Sequence, residues 1–426
     1  MSEQRLQSPS LQLLPRSYPD RLRSDRPQRL YTLDALRGFA IIAIMLFHAT
    51  DTFHLKLEQP FLLDIFAFAD AGVEFFFVLS GFILVWVYGD RLGKGGDRGS
   101  QGHSSGSQEH SSGSQRHTWR HTWFSFMLKR CLRIYPFYWL VNLVVIPLYL
   151  LMPTAGTSAQ REFAVILKSF LLVPQPQSPI LVVAWFLSYI LLFYALFGLL
   201  LALKPKVSLP IIGSWLVLSA LFNLSYYIAG TDPASSYFWP HFFLSLYGIE
   251  FAAGGLMAFW LISHRLKRAW CNAFFTYGAI ALIIFGLIDN YVFKGNNSFL
   301  MQGYEFAAYG VASVFLIGGI AASESEANRF DAPPSLPVKW LLRSPTWIGA
   351  ASYAILLTHY LVLSLGVKVL ARLNLNAVQL NIGGVFCCLL ACFVGWLSYR
   401  YVERPCVRLA SWGVQRLQRG PDTRWS

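Results

Sequence analysis

Two ionisable residues, Arg37 and His48, lie eleven positions apart in the otherwise apolar segment LDALRGFAIIAIMLFHAT, residues 33–50. Eleven residues at about 100° each complete three helical turns with about 20° to spare, so both side chains occupy one helix face. Their separation along the axis is about 16 Å, roughly half of a hydrocarbon core of about 30 Å. If Arg37 lies at one membrane interface, His48 lies near mid-depth, where ionisable groups are costly and therefore functional candidates.

A histidine in this position can act as a general base when a second group orients its ring. The next apolar segment, AGVEFFFVLSGFIL, carries Glu74 near the end that an antiparallel helix would bring to the level of His48. A carboxylate that accepts one imidazole N–H leaves the other nitrogen free to deprotonate a substrate hydroxyl. We predict His48 and Glu74 as a catalytic pair. The simpler alternative for His48 is a hydrogen bond across a helix interface. Ser80 in the second segment is either a polar lining residue or, more simply, a small residue that allows close helix packing.

A basic string, KRCLRIYPFYW, precedes the third apolar segment and carries Arg130 and Arg133. Residues three apart project from one helix face, so both guanidiniums should meet Arg37 at the same interface. Three guanidiniums together can hold phosphates through planar, two-pronged hydrogen bonding. Each arginine alone is explained by snorkelling or by the positive-inside rule, but the cluster favours phosphate binding.

The composition predicts the class of structure that must position these residues. Of the 426 residues, 55% are hydrophobic, 16% aromatic and only 13% charged, whereas soluble domains carry about a quarter charged residues. This indicates an all-α, polytopic membrane protein with about ten transmembrane helices. The predicted spans lie near residues 34–54, 72–90, 133–152, 180–203, 208–229, 243–262, 271–290, 303–321, 347–370 and 380–402. A weaker apolar stretch, residues 163–173, is too short to cross the membrane.

Lysine and arginine residues predict the orientation of these helices. Assigning alternate loops to opposite sides places 28 of the 35 basic residues on one side and five on the other. By the positive-inside rule, both termini are then cytoplasmic. The net charge of +13 is mainly this topology signal with some attraction to anionic membrane lipid, so we predict no nucleic-acid partner.

The chain divides into a basic N-terminal tail (1–30), a transmembrane domain (31–408) and a basic cytoplasmic C-terminal tail (409–426). A low-complexity segment (91–122) is inserted between the second and third helices as a cytoplasmic loop. Its four histidines could in principle bind a metal, but Ser/Gly-rich sequence favours a disordered linker, so we predict no metal site. These histidines are His103, His110, His117 and His121. The tail shows no removable signal peptide, and the six cysteines are interpreted as small hydrophobic residues.

Five strings together resemble the acyltransferase-3 family of integral membrane O-acyltransferases: LDALRGFAIIAIMLFHA, GVEFFFVLSGFIL, KRCLRIYPFYW, GAASYAILLTHY and YRYVERP. The resemblance covers about residues 31–408. It implies a ten-helix enzyme of the plasma (inner) membrane that passes an acyl group to a hydroxyl of a sugar, polysaccharide or glycolipid. The donor would be cytoplasmic acyl-coenzyme A, with acetyl the commonest group in the family, acting as a co-substrate rather than a permanently bound cofactor.

The resemblance also implies roles for individual residues. His48 and Arg37 match the essential histidine and arginine, Glu74 an acidic position, and Arg130 and Arg133 the cytoplasmic basic motif. A supporting or substrate-binding role is predicted for Ser80, Tyr135, Trp185, Ser188, Glu250, Ser352, Tyr353 and His359. One departure is Ile190 in AWFLSYILLFY, where many members carry a glutamate; Glu250 is our candidate to replace that carboxylate.

Several functional alternatives follow from the same residues. His48 could deprotonate the acceptor directly or carry the acyl group covalently, and Tyr353 or Ser80 could stabilise the oxyanion. Polar residues along a membrane shaft are also typical of a transporter or flippase for a lipid-linked or acylated glycan. The missing glutamate at Ile190 leaves a third interpretation, a catalytically altered member of the fold.

Overall fold

The computed structural model describes residues 30–89, 92, 114–151, 156–230, 237–264, 266–293, 303–330, 339–340 and 346–419. These residues form helices joined by turns, and no strand occurs among them. The helices are α1 (Tyr31–Leu57), α2 (Gly72–Tyr88), α3 (Ser114–Leu151), α4 (Phe163–Phe170), α5 (Ala184–Ala202), α6 (Pro205–Ala229), α7 (Phe238–Phe243), α8 (Tyr247–Ser263), α9 (Arg268–Ile288), α10 (Val311–Phe330), α11 (Thr346–Ala350), α12 (Ser352–Leu370), α13 (Ala377–Ser398) and α14 (Arg404–Arg419).

Ten helical segments within the described ranges are long and apolar enough to cross a membrane, which confirms the predicted fold class. Each predicted span overlaps one of them. They are Tyr31–Leu57, Ala69–Tyr88, Arg120–Leu151, Ala184–Ala202, Pro205–Ala229, Phe238–Ser263, Arg268–Phe293, Gly303–Ala327, Ser352–Leu370 and Ala377–Val414. Helix α4 has eight residues, about 12 Å, and is too short to cross, as the sequence indicated.

The structure differs from the predicted boundaries at two long helices. Helix α3 begins at Ser114, inside the segment predicted as a linker, and α14 continues to Arg419 through most of the predicted C-terminal tail. A helix that extends into water can be polar on all sides there, so the apolar pattern marks only its membrane part. Residues 1–29, His103 and His110 lie outside the described residues.

Helices α1 and α12 pack side by side and run in the same direction. Three pairs show the register: Arg37 bonds to Ser352, the His48 ring lies beside the His359 ring, and Lys56 bonds to Ser364. The residue numbers rise together along both helices, so the pairs follow one another along the axis. The α1–α12 pair therefore carries a cationic side chain at each end, and the two histidines lie between these ends.

Two glycines permit unusually close contact between α2 and α8. A Cβ atom added at Gly81 would lie 1.8 Å from the Phe251 carbonyl oxygen, and one at Gly254 would lie 1.9 Å from the Val78 oxygen. Small residues of this kind allow membrane helices to pack backbone against backbone, where van der Waals contact replaces the hydrophobic effect. The contact fixes α2, and with it the side chains that α2 directs toward α1.

We therefore expect Gly81→Ala to destabilise the protein, because the added methyl group overlaps backbone that cannot move aside. The cost should be at the upper end of overpacking, about 3 kcal/mol. Thermal unfolding of the purified protein in detergent measures it. Gly213→Ala is the matched control, since a Cβ atom at this helical glycine meets nothing within 4 Å. Equal melting of the Gly81 and Gly213 variants would contradict the close contact.

Candidate active site

His48 lies in the middle of α1 and faces α12. Its ring centroid is 5.3 Å from that of His359 and 5.4 Å from that of Tyr360, the latter in an edge-on arrangement. His48 Nδ1 is buried and makes no hydrogen bond within the described part of the chain. A buried polar atom without a partner is costly and is often a mark of function. The structure thus gives His48 a histidine neighbour where the sequence had suggested a carboxylate.

His359 is fully buried, and its two ring nitrogens have different surroundings. Nδ1 lies 2.9 Å from the carbonyl oxygen of Ile355, one turn earlier in α12. A carbonyl oxygen only accepts, so the hydrogen atom is on Nδ1 and Nε2 carries a lone pair. Nε2 is buried with no hydrogen-bond partner among the residues described. An unpartnered acceptor of His359 therefore lies beside an unpartnered nitrogen of His48.

The structure does not bring Glu74 to His48. Val73 and Phe76 of α2 line the cavity beside His48, whereas Glu74 projects from another face of the helix. Successive helical residues are rotated by about 100°, so a neighbour of a cavity-lining residue points elsewhere. The two residues lie at a similar level along their helices, but the predicted hydrogen bond between Glu74 and His48 is absent from the described residues, so Glu74 does not orient His48 in this structure.

Glu74 belongs instead to a group of five acidic residues, which we call the carboxyl cluster: Asp70, Glu74, Glu250, Asp289 and Glu305. Asp70 lies in the turn just before α2, Glu74 on α2, Glu250 on α8, and Asp289 and Glu305 at the adjoining ends of the α9 and α10 spans. Glu250 is 2% exposed, and neither of its carboxylate oxygens has a hydrogen-bond partner in the described structure. Tyr309 donates to Asp289 at 3.0 Å. Glu250 therefore lies with Glu74, and Ile190, the position where many members carry a glutamate, is buried in the hydrophobic core.

Arg37 lies at the beginning of the α1–α12 pair and makes two polar contacts. Its Nη2 donates to Ser352 Oγ at 3.1 Å, and its Nη1 lies 3.6 Å from Asp34 Oδ1. Arg133 and Glu403 are near enough to interact with it electrostatically. Glu403 is 4% exposed, and its Oε2 has no hydrogen-bond partner among the described residues. A buried carboxylate thus balances part of the charge of the two guanidiniums.

Arg130 lies one turn from Arg133 on α3 and is surrounded by aromatic rings. Its guanidinium carbon is 5.5 Å from the ring centre of Tyr88 and 5.2 Å from those of Phe126 and Tyr194. Such cation–π contacts hold a guanidinium in place without neutralising it. Tyr194 also interacts electrostatically with Arg37. The structure thus brings together the three arginines predicted to bind phosphate, and we call them, with Glu403, the arginine cluster.

A cavity of about 310 Å³, which we call the His48 cavity, opens beside the histidine pair. Its other lining residues are Ile44, Val73, Phe76, Val183, Trp185, Phe186 and Leu356. Ser80 lies on the same face of α2 as Val73 and Phe76. It follows Phe76 by about one turn, or about 6 Å along the axis, and Val73 by about two turns. Trp185 is therefore placed to contact a molecule in the His48 cavity, and Ser80 is placed to contact a molecule that extends beyond this cavity along α2.

Four of the predicted supporting side chains are engaged in structural hydrogen bonds. The Tyr135 hydroxyl donates to the Leu171 carbonyl at 3.0 Å, and Ser188 Oγ donates to the Leu172 carbonyl at 3.0 Å. The Tyr353 hydroxyl donates to the Ile134 carbonyl at 2.8 Å, and Ser352 accepts from Arg37. Tyr353 is thereby held at the arginine cluster, one helix turn or more from His359, and is unsuited to the oxyanion role beside His48.

Sequence reasoning missed Glu403 and Tyr360. Glu403 stands in the string YRYVERP, next to basic residues that suggested only a membrane boundary. The signal that could have found it is charge balance, because three converging guanidiniums in a membrane favour a nearby carboxylate. Tyr360 follows His359 directly, but a sequence does not show that α12 packs against α1.

Among the residues that the structure describes, no group of three or more His, Cys, Asp or Glu side chains is arranged to hold a metal ion. All six cysteines are free thiols. Cys271, Cys387 and Cys388 are buried, as interpreted from the sequence, while Cys131, Cys392 and Cys406 are partly exposed.

The described ranges contain ten helices able to cross a membrane, and a buried histidine pair and an arginine cluster lie among them, which defines a polytopic membrane protein with a polar interior site. The family model described as an acyltransferase domain (Acyl_transf_3) matches residues 30–400, and the chain belongs to this acyltransferase family. It is similar to the exopolysaccharide production protein ExoZ of Rhizobium meliloti (strain 1021), with 28% identity over 376 residues, covering 85% of this chain and 95% of that protein. No solved structure matches the chain.

Proposed function

We propose that this acyltransferase moves an acyl group, acetyl in the first instance, from cytoplasmic acyl-coenzyme A to a hydroxyl of a polysaccharide or of its glycolipid precursor. The observation that carries the proposal is the pair of unpartnered nitrogens, His48 Nδ1 and His359 Nε2, beside the His48 cavity. The polysaccharide acceptor is supported by the name of the similar protein ExoZ. The enzyme would act in the plasma (inner) membrane with both termini in the cytoplasm.

The arginine cluster would bind the phosphates of the coenzyme. The three guanidiniums of the cluster outnumber the two neighbouring carboxylates, Glu403 and Asp34, so the cluster keeps a net positive charge. Phosphates accept two parallel N–H bonds from guanidinium forks. Arg37 and His48 are about 16 Å apart along α1, a distance that the extended pantetheine arm of the coenzyme can cover. The thioester would then lie at the His48 cavity.

In this mechanism, His359 replaces Glu74 as the group that orients His48. A rotation of the His48 ring lets its Nδ1–H donate to Nε2 of His359, which already carries the lone pair. His48 Nε2 then takes the proton of the acceptor hydroxyl as the oxygen attacks the thioester carbonyl. The tetrahedral intermediate breaks its C–S bond, and the departing thiolate receives the proton from His48. The products are an ester and free coenzyme A thiol.

His359→Gln is expected to lower kcat by about 10- to 100-fold, because losing an orienting hydrogen bond weakens general-base catalysis without removing the base. The KM for acyl-coenzyme A should stay near the wild-type value. Steady-state kinetics across a pH range make the measurement, and the acid limb of the kcat profile should move when the neighbour of His48 changes. Glu74→Gln is the comparison variant. A larger loss with Glu74→Gln than with His359→Gln would contradict the assignment.

The function itself is tested with purified protein in lipid vesicles, given acetyl-coenzyme A labelled in the acetyl group. Thiol release together with label on an added oligosaccharide supports the enzyme. Movement of a saccharide across the bilayer without thiol release supports the transporter instead. Acid quenching and peptide mapping separate direct transfer from a covalent route, since only the covalent route places label on His48.

A further inference from the structure

A second and larger cavity, which we call the Lys368 cavity, lies along α12. The open space between its walls is about 520 Å³. Its α12 lining runs from Leu357 to Lys368, a distance of about 16 Å along the helix. The other walls come from the second half of α3 and from residues 180–183. The cavity therefore extends from the level of the histidine pair toward the end of α12 farthest from the arginine cluster.

The Lys368 cavity adjoins the His48 cavity. Val183 lines both of them, and Leu356 and Leu357 line one each. Tyr360 lines the Lys368 cavity while its ring contacts the ring of His48. A molecule in the Lys368 cavity can thus present one of its groups to His48 from the side opposite to the arginine cluster.

Cationic groups surround the far end of the Lys368 cavity. Lys368 lines it, and Lys56 interacts electrostatically with Lys368. The Lys56 ammonium donates to Ser364 Oγ at 2.5 Å and to the Ser364 carbonyl at 3.1 Å, which holds it against a lining residue. Arg161 donates to the carbonyl of Tyr149, another lining residue, at 3.2 Å.

Acidic residues of α1 and its C-cap lie on both sides of Lys56: Asp51, which interacts with Tyr360, and the exposed Glu58. Asp51 lies five residues before Lys56 on α1, about 7 Å nearer to the histidine pair. Two lysines held close together repel each other, and an anion between them removes that repulsion. The two ammonium groups at the far end of the cavity are thus placed to hold an anion between them, while the cavity walls are largely apolar.

We propose that the acceptor carries an anionic group and that Lys368 and Lys56 bind this group in the Lys368 cavity, so that an acceptor hydroxyl reaches His48. The anion is a carboxylate of an acidic sugar or the diphosphate of a lipid-linked sugar; both offer oxygen acceptors to ammonium groups. This inference rests on the proposed transferase function and names the chemical class of its acceptor. It assigns the arginine cluster and the lysine pair to different substrates, at opposite ends of one path through the protein.

The test measures acetyl transfer by the full-length protein in lipid nanodiscs to three acceptors: a neutral oligosaccharide, one containing uronic acid, and a sugar linked to polyprenyl diphosphate. Lys368→Gln and Lys56→Gln should raise the KM for one anionic acceptor by about 10- to 100-fold, the effect of losing a charged hydrogen bond. The KM for acetyl-coenzyme A and any transfer to the neutral sugar should change less than about twofold. The acceptor whose KM rises identifies the source of the anion.

Lys168→Gln is the matched control, because Lys168 is an exposed lysine of α4 that does not line the cavity. Thermal unfolding in detergent checks that each variant is folded, and Lys56→Arg keeps the charge if Lys56→Gln unfolds. Wild-type protein that prefers the neutral sugar, or lysine variants with unchanged KM for both anionic acceptors, would overturn the inference while leaving the transferase intact. Absence of thiol release with every acceptor would instead reject the proposed function.

Discussion

His48→Gln is expected to reduce acyl transfer by about 10²- to 10⁴-fold, the usual contribution of a positioned general base. Glutamine keeps the polarity and much of the volume of the side chain, but it cannot accept a proton from a hydroxyl at neutral pH. Binding of acyl-coenzyme A should persist, because the arginine cluster is about 16 Å away along α1. The measurement is thiol release under saturating donor and acceptor, with donor binding followed separately by isothermal titration.

His54→Gln provides the control for this prediction on the same helix. His54 is exposed near the end of α1, where its Nε2 lies 2.9 Å from Asp64 Oδ1, and it contacts neither the histidine pair nor the His48 cavity. We expect its activity to remain within about twofold of wild type, since exposed ion pairs contribute little. A His48→Gln protein that binds donor and still transfers at the wild-type rate would exclude His48 as base or nucleophile.

The ten spans could be predicted because each depends on local composition. About twenty successive apolar residues can satisfy their backbone only as a helix in lipid, whatever their neighbours are. The ends of α3 and α14 could not be predicted in this way, since a helix that continues into water needs no apolar residues. Periodicity along Arg37 and His48 likewise predicted that both share a face of α1, and both contact α12.

The pairing of His48 with Glu74 illustrates what sequence alone does not provide. Depth in the membrane follows from residue counting, but the rotation of α2 about its axis depends on its contact with α8 through Gly81 and Gly254. That contact directs Val73 toward the His48 cavity and Glu74 toward the carboxyl cluster. The choice of helix neighbours is also invisible in one sequence, so the adjacency of the first and ninth spans, and with it His359, emerged only from the structure.

The arginine cluster, in contrast, could be predicted from the sequence: the three arginines expected at one interface lie close together in the structure. Arg130 and Arg133 had to share a face of α3, and the positive-inside pattern placed Arg37 at the same interface. The structure adds the groups that hold the guanidiniums apart and in position, namely the three rings around Arg130 and the buried Glu403. Phosphate binding by this cluster stays a prediction.

Arg37→Gln is expected to raise the KM for acyl-coenzyme A by about 10- to 100-fold, the cost of losing a charge-assisted hydrogen bond to phosphate. The kcat should change less, because Arg37 does not contact the reacting atoms. Steady-state kinetics with acetyl-coenzyme A and with its dephosphorylated analogue, which lacks the 3′-phosphate, make the measurement. If Arg37 binds the 3′-phosphate, the wild-type protein has a lower KM for the intact donor than for the analogue, and the variant does not. If Arg37 binds the diphosphate, the substitution raises the KM for both donors by the same factor.

A purely structural effect of Arg37 must be separated from this one, since its loss leaves the buried Glu403 with one cationic neighbour fewer. Breaking a buried ion pair costs about 3–5 kcal/mol of stability, most of it from the charge left unpaired. The double variant Arg37→Gln with Glu403→Gln removes that charge. It should regain thermal stability but keep the high KM, whereas Arg400→Gln, which alters an exposed arginine stacked on Trp396, should change neither. Recovery of a wild-type KM in the double variant would show that Arg37 only balances Glu403 and does not bind the donor.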